Sequence, residues 1–320
     1  MSDSSKSPEP SAATAAAASA DTEPEPIKAI PLRRPGRWIA AAIILVLLGL
    51  FLWGAKTNPA YHWDTYTKYL LDKRIAQGAL TTLELTVLAM LLGVLLGVVL
   101  AVMRLSPNPV LRSVAWVYLW IFRGTPVYVQ LVFWGLFPSL YKTITVGVPF
   151  GPSFADFNVQ DWRAPFVFAV IGLGLNEAAY MAEIVRAGVN SVGEGQREAS
   201  TALGMSWSQT MRRTVLPQAM RVIIPPTGNE LISMLKTTSL VTALPLTTDL
   251  YGRARDIYSV NFQPVPLLLV AATWYLAVTS ILMVGQFYLE RYYSRGSSRQ
   301  LTGKQLRALA SVRVAGEEGH

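Results

Sequence analysis

Residues 38–55 read WIAAAIILVLLGLFLWGA, a run without a single charge and long enough as a helix to cross the ~30 Å hydrocarbon core of a bilayer. Further apolar stretches follow at 79–103, 127–141, 165–189, 218–245 and 265–289. Lipid offers the backbone no hydrogen-bond partner, so a chain built from such runs is confined to helices that satisfy their own amides. The sequence therefore predicts an all-α, polytopic membrane protein with about six transmembrane helices. Composition bears this out: 52% of the residues are hydrophobic and 15% charged, against about 25% charged in an ordinary soluble domain. The first run exceeds the ~7–15 residues of a signal-peptide core and follows a long polar tail, which favours a retained helix over a cleaved leader. Residues 1–37 are mostly Ser, Ala, Pro and Glu up to about residue 30, the composition of a disordered tail. Residues 292–320 read as a second, basic tail.

Several chemistries are excluded. Cysteine is absent and the two histidines are His62 and the terminal His320, so no thiol nucleophile, disulfide, metal cluster or Ser/His/Asp set can be assembled. The phosphate-binding pattern G-x-x-x-x-G-K-[ST] is missing, so the chain carries no nucleotide engine of that kind. It is not expected to be an enzyme or to hold a cofactor. The net charge of +8 is accounted for by basic residues flanking the apolar runs, where they meet anionic lipid, rather than by nucleic acid.

Polar residues within the runs mark the candidate sites. In the second run Ala89, Gly93, Gly97 and Ala101 recur every four residues, a stripe on which another helix can pack closely. The aromatic stretch 111–122 ends in Arg123-Gly124-Thr125-Pro126. Burying Arg123 in hydrocarbon would cost at least ~2.5–3.5 kcal/mol, so an interfacial helix followed by a span starting near Pro126 is expected. Arg123 then either snorkels to the interface or serves a gate. Residues 143–163, rich in Gly and Pro, read as a loop.

In the fourth run Asn176, Tyr180 and Glu183 fall at i, i+4 and i+7 on one helical stripe, with Glu177 and Arg186 beside it. Ionisable groups in a span face protein or water rather than lipid. Glu183 and Arg186 can pair at i, i+3, whereas Asn176, Glu177 and Tyr180 are candidates for a polar cavity in contact with solute. The fifth run adds Asn229, Glu230, Lys236, Thr237, Thr238 and Ser239. Its hydroxyls can bond back to helical carbonyls. The Lys236 ammonium needs a carboxylate (Glu177, Glu183 or Glu230), a carbonyl cluster or a helix end. Lys236, Thr237 and Ser239 join the candidate solute path.

Between these two runs lies EGQREASTALGMSWSQTMRRTVLP, residues 194–217, which reads as helix, glycine, helix. Ser191 with Glu194, and Ser206 with Gln209, have the spacing of reciprocal N-caps. Gly204 stops the first helix and Pro217 is expected to limit the second. Ala199, Ala202 and Leu203 give one small apolar face, and Trp207 and Met211 another. Such short helices cannot bury a core alone and must dock on the bundle or on another protein.

Glu198-Ala199-Ser200, then Gly204, then Leu216-Pro217 resemble the EAA loop of ABC importer permeases. Ser200 stands where a second alanine is usual and Thr214 where an aliphatic is usual. RGTPVYVQL at 123–131, LNEAAYMAEIVRAG at 175–188 and KTTSLV at 236–241 resemble the branch that imports polar amino acids, the histidine/glutamine permease-like family. The resemblance implies one extra N-terminal helix (38–55) plus a five-helix permease core over residues 75–291, with a cytosolic coupling loop at 191–217. In that family the coupling element fits a groove on a cytosolic ATPase. The corresponding residues here are Glu194, Gly195, Gln196, Arg197, Glu198, Ala199, Ala202, Leu203, Gly204 and Met205. Implied partners are two ABC ATPase subunits, which hold the ATP and Mg, a second permease copy or homologous permease, and an extracytoplasmic solute-binding protein.

Charge placement tests the topology independently. With both termini in the cytosol of a prokaryote, Arg33, Arg34, Arg37, Arg104, Arg112, Arg186, Arg197, Arg212, Arg213 and Arg221 all lie on the inner side, as the positive-inside rule requires. Lys56, Lys68, Lys73 and Arg74 fall on the outer side against that rule, with Lys142, Arg163, Arg253 and Arg255 in the other outer loops. Two other functions compete with an ATP-driven importer. An ion-coupled secondary transporter would use the buried carboxylates for protons, but the internal repeat such carriers show is not visible. A scaffold or channel would leave the capped helix pair unexplained.

Overall fold

The computed structural model describes residues 35–148, 151–161 and 164–293. The two tails of the sequence, with the expectations attached to them, lie outside the described residues except for the short stretches 35–37 and 292–293. The chain divides into two compact units, residues 1–58 and 59–320. The first contributes α1 (Pro35–Thr57), a helix apolar on every side whose residues are almost all exposed, as expected of a span whose solvent is lipid. Among the described residues, α1 is one of four helices long and apolar enough to cross a membrane.

The second unit holds the other three. Helix α2 (Trp63–Leu70) is short, and α3 (Lys73–Leu105) starts several residues earlier than its apolar run because Asp72 caps it, accepting the Arg74 N–H at 2.8 Å. Helix α4 (Pro109–Gly124) begins with a proline in its first turn, where no amide bond is lost, and Asn108 caps it. It leads into α5 (Val127–Leu140). Residues 143–161, expected as a loop, contain an antiparallel hairpin of β1 (Thr143–Gly147) and β2 (Ser153–Asn158), with Thr143 opposite Asn158. The β-branched residues of β1 favour the strand, and both strands stay exposed.

Helix α6 (Ala164–Asn190) is the central element, packed most extensively on α3. The small-residue stripe of α3 is what lets the two approach: Ala89, Gly93, Gly97 and Ala101 are all buried. A Cβ on Gly93 would meet Glu177, and one on Gly97 would meet Met181. Leu85, Leu131 and Leu173 lie at the heart of the largest apolar cluster. Helices α7 (Glu194–Ala202) and α8 (Trp207–Thr210) follow, then a π-helical turn at Met211–Val215, α9 (Leu216–Thr237), a 3-10 turn at Thr238–Ala243, α10 (Leu250–Asn261) and α11 (Pro264–Tyr293). Helices α3, α6 and α11 are the candidate spans of this unit, while α5 is shorter.

Helix α4 packs one face against the bundle and leaves the rest exposed. Ala115 and Leu119 pack with Leu100 of α3 and with Ala178, Ala179 and Ala182 of α6. Its last turn reaches Asn176, midway along α6. The Arg123 guanidinium turns back over the Tyr180 ring, 5.7 Å from its centroid, toward Glu183.

Outside the spans, Asp249 caps α10 by accepting the Gly252 N–H at 3.2 Å, yet it is fully buried and its Oδ1 has no partner. Burial pushes its carboxyl up to about 6. A raised folded-state value means that folding favours the protonated form. That contribution is complete below about pH 4 and lost as pH rises through about 6, on the order of 3 kcal/mol in all. Asp249→Asn keeps an acceptor for Gly252 and cannot ionise. The detergent-solubilised variant should therefore melt higher than the parent at pH 8 and equally at pH 4, as followed by tryptophan fluorescence.

Candidate functional site

The break between α4 and α5 is where the site begins. Pro126 has no N–H to give the Phe122 carbonyl, one helical turn back. Two side-chain amides replace it: Gln130 Nε2 donates to Phe122 O at 3.0 Å and Asn176 Nδ2 at 3.1 Å, and the Gln130 oxygen accepts from Asn176 at 3.1 Å. Gln130 also donates to the Thr125 hydroxyl at 2.8 Å. Asn176 thus fixes the strand of backbone from Arg123 to Pro126 against α6.

Beside this joint opens a cavity of about 620 Å³, lined by residues 123–127, by Asn176, Glu177 and Tyr180 of α6 and by Glu230, Ser233 and Thr237 of α9. Glu177 is only 4% exposed and its Oε1 has no partner. Among the described residues neither Glu177 nor Glu230 forms an ion pair. The cavity therefore presents two carboxyl groups without an ion-pair partner, which cost several kcal/mol if both are charged unless a proton or a cation is supplied.

The structure brings together Arg123, Gly124, Thr125, Pro126, Asn176, Glu177, Tyr180 and Thr237 from the sequence-predicted set. It leaves Lys236, Glu183 and Ser239 out of this cavity. Lys236 is exposed in the last turn of α9 and pairs with none of the three carboxylates proposed for it. The helix end, where the macrodipole favours a cation, accounts for it. Ser239 and Thr237 bond back to the carbonyls of Lys236 and Ser233. Ser233 and Gln130 were not among the sequence candidates, and Glu230 was named only as a polar residue of the fifth run and a partner for Lys236. Glu230, Ser233 and Thr237 share a face at i, i+3 and i+7, a signal that the polarity of the whole stretch concealed.

Glu183 instead holds three arginines. Arg186 donates to its Oε2 at 2.6 Å, and Arg104 and Arg123 stand 3.7 and 3.8 Å from its Oε1.

The loop after α6 forms a second candidate surface. Ser191 does not cap α7: its hydroxyl donates to the Gly188 carbonyl at 2.7 Å and so finishes α6, while Gly193 takes the cap position without a side-chain bond. At the other end of α7, Gly204 adopts φ 72°, with its N–H on Thr201 O at 2.9 Å and the Met205 N–H on Ser200 O at 3.1 Å. This paired closure needs a residue that tolerates the left-handed region. Ser206 and Gln209 then cap α8 reciprocally.

Pro217 does not end the second helix. The π turn widens the backbone, with the Leu216 N–H on Met211 O, and the chain runs on into α9 with Pro217 in its first turn. Arg197 ties the loop to α6 through Val189 O at 2.7 Å. Ser200 and Thr214, the two departures from the usual loop pattern, contact each other at 2.9 Å, so one polar pair stands where two apolar side chains would meet.

Of the predicted docking residues, Glu194, Gly195, Gln196, Glu198, Ala199, Ala202, Leu203 and Gly204 are exposed, and Arg197 and Met205 are half-buried. Leu203 and Trp207 are 81% and 76% exposed. These are two large apolar side chains exposed on an otherwise polar loop, a candidate docking surface.

Comparison with known proteins agrees with these features. Residues 93–295 match the family described as binding-protein-dependent transport system inner membrane component. The chain is 63% identical to the arginine transport system permease protein ArgU of Corynebacterium glutamicum, over 91% of this chain and 90% of that one. It is 37% identical to the nopaline transport system permease protein NocM of Agrobacterium fabrum, over 63% and 80%. A crystal structure of an amino acid ABC transporter with histidines superposes with a TM-score of 0.57 at 33% identity, covering 68% of this chain and 94% of that one. With its bundle, its bent α4–α5 joint and its capped helix pair, the chain belongs to the binding-protein-dependent transport system inner membrane components, among the ABC transporter permeases.

Proposed function

We propose that this chain is the membrane-spanning subunit of an importer for a cationic amino acid, driven by ATP hydrolysis on partner subunits. The observation that carries the substrate class is the Glu177 carboxylate, buried without a partner beside Glu230 in the cavity of about 620 Å³. A guanidinium or ammonium side chain would supply the missing charge, and the name of the 63% identical relative is in keeping with arginine. The α-amino and carboxylate groups of such a solute would find Ser233, Thr237 and the Arg123–Pro126 segment in the same cavity.

The chain holds no engine of its own, so the pull enters through α7 and α8. Two cytosolic ATPases, each gripping Leu203, Trp207 and the polar residues around them, would draw these loops of paired permease copies together when ATP closes them. Helices α6 and α9, which carry the carboxylates and flank the loop, would then rock the cavity from one face of the membrane to the other. A binding protein outside the cell would deliver the solute.

The test is uptake by proteoliposomes containing the permease and its ATPase, with arginine, glutamine and glutamate as competing solutes. Glu177→Gln and Glu230→Gln are expected to lower arginine uptake about tenfold or more relative to glutamine, the scale of losing one buried charge partner. Equal loss for all solutes would assign these carboxylates to structure, and uptake without any ATPase present would favour an ion-coupled carrier.

A further inference from the structure

The cluster around Glu183 has more positive charge than that carboxylate can neutralise. Arg186 occupies its Oε2 with two hydrogen bonds, from Nε at 2.9 Å and Nη2 at 2.6 Å. Arg104 and Arg123 share its Oε1 at 3.7 and 3.8 Å, outside hydrogen-bonding distance. Among the described residues neither of these two guanidiniums makes a hydrogen bond. Their donors are idle, although the Arg104 side chain is only 23% exposed and Arg123 47%.

Both line a cavity of about 310 Å³ with Trp116, Trp120 and Leu119. The two indoles are stacked, 6.2 Å apart and nearly parallel. They belong to an α4 surface on which Val110, Val114, Val117 and Ile121 are also exposed, an apolar face that suits acyl chains. Arg104 lies in the last turn of the apolar α3, and the end of a span is where lipid headgroups are met.

Two guanidiniums without hydrogen bonds, one in the last turn of α3 and one in the last turn of α4, match the bidentate geometry of phosphate, and indoles beside them suit the membrane interface. We propose that Arg104 and Arg123, flanked by Trp116 and Trp120, bind the phosphodiester headgroup of an anionic phospholipid. The lipid rather than free phosphate is favoured because the cavity opens onto the apolar flank of α4. Since Arg123 also borders the larger cavity, an anionic lipid would hold that side chain away from the solute and toward the membrane.

The full chain, purified in detergent, is incubated with mixed micelles of phosphatidylglycerol and phosphatidylcholine, and the retained lipid is measured by native mass spectrometry. Phosphatidylglycerol should be retained in preference. Arg104→Gln should reduce that retention about fivefold, the scale of one interfacial basic residue, Arg104→Lys less, and Arg112→Gln, on α4 with Arg123 but outside the cavity, not at all. A circular dichroism melt of each variant separates loss of lipid from loss of fold.

The assignment is overturned if the two lipids are retained equally, or if a folded Arg104→Gln variant binds like the parent. It is also overturned if inorganic phosphate binds with the same Arg104 dependence while phosphatidylglycerol does not compete. Burial of the Trp116 and Trp120 pair against a second copy of the chain, detected by crosslinking in lipid, would likewise exclude it.

Discussion

Gly204→Val is expected to abolish solute-stimulated ATP hydrolysis and transport while leaving the protein in the membrane at its normal level. The reason is conformational. At φ 72° a Cβ on Gly204 would touch nothing within 4 Å, so space is not the constraint. The left-handed backbone is, at roughly 1–2 kcal/mol for an ordinary residue and more for a β-branched one. Relieving that strain would break the bonds from Gly204 and Met205 to Thr201 and Ser200 and swing Leu203 relative to Trp207, the two exposed tips a partner would grip.

The loop's other anchors are Arg197 on Val189, Ser200 on Thr214 and the apolar cluster of Val192, Met211 and Val215, none of which lies on the Leu203–Gly204 turn itself. The strain would therefore be released by moving the loop rather than by unfolding the bundle. A graded series makes the explanation testable: Asn, which visits the left-handed region readily, should retain most activity, Ala less, and Val almost none. If Asn and Val were equally inactive, a direct contact made by the glycine would be the cause. The measurement is ATPase activity of the reconstituted complex with and without solute, beside membrane abundance by immunoblot.

That this loop could be anticipated at all rests on local rules. Ser206 and Gln209 form their reciprocal cap and Gly204 takes the left-handed position because both features are decided within a few residues. The apolar runs and the small-residue stripe were legible for a similar reason, since lipid imposes one periodicity on everything within it. What escaped has two sources, competing local geometry and partners on other helices. Ser191 had the spacing of a cap, but its hydroxyl found the Gly188 carbonyl first. Pro217 had every mark of a terminator, yet a π turn absorbs it.

Helix α4 is expected at the interface because of Arg123, and the position of Glu183 and Tyr180 on α6 adds which groups that charge meets. In the cavity, Asn176 and Glu177 are neighbours in sequence with different employment. One amide completes the α4–α5 joint, while the carboxylate beside it has no partner. Spacing alone places both near the same stripe and cannot separate them.

The other large effect should come from Gly97. Its absent Cβ would stand 2.5 Å from Met181 Cβ and 3.1 Å from both Ala178 O and Ala182 N, so backbone as well as side chain blocks any substituent. One turn earlier, Gly93 is closed in the same way by Glu177 Cγ at 2.6 Å. A leucine at 97 must push α3 off α6, the most extensive contact in the second unit. Overpacking of this kind costs about 1–3 kcal/mol where neighbours can shift, and more where helix backbones must part. Lipid supplies no hydrophobic force to restore the pair, because its tails solvate the exposed faces as well as the helices do each other.

Gly97→Leu should therefore reduce monodisperse protein several-fold in fluorescence-detected size-exclusion chromatography, with Gly97→Ala intermediate. Gly285→Leu, on α11 with nothing within 4 Å of its Cβ position, controls for adding bulk to a span and should behave as the parent. Met181→Gly removes the atom that a Cβ at 97 would strike first. Combined with Gly97→Ala it should recover part of the loss, giving a double-mutant coupling of opposite sign to the single changes. If the two substitutions were simply additive, the close approach of α3 and α6 at this level would not be what limits the fold.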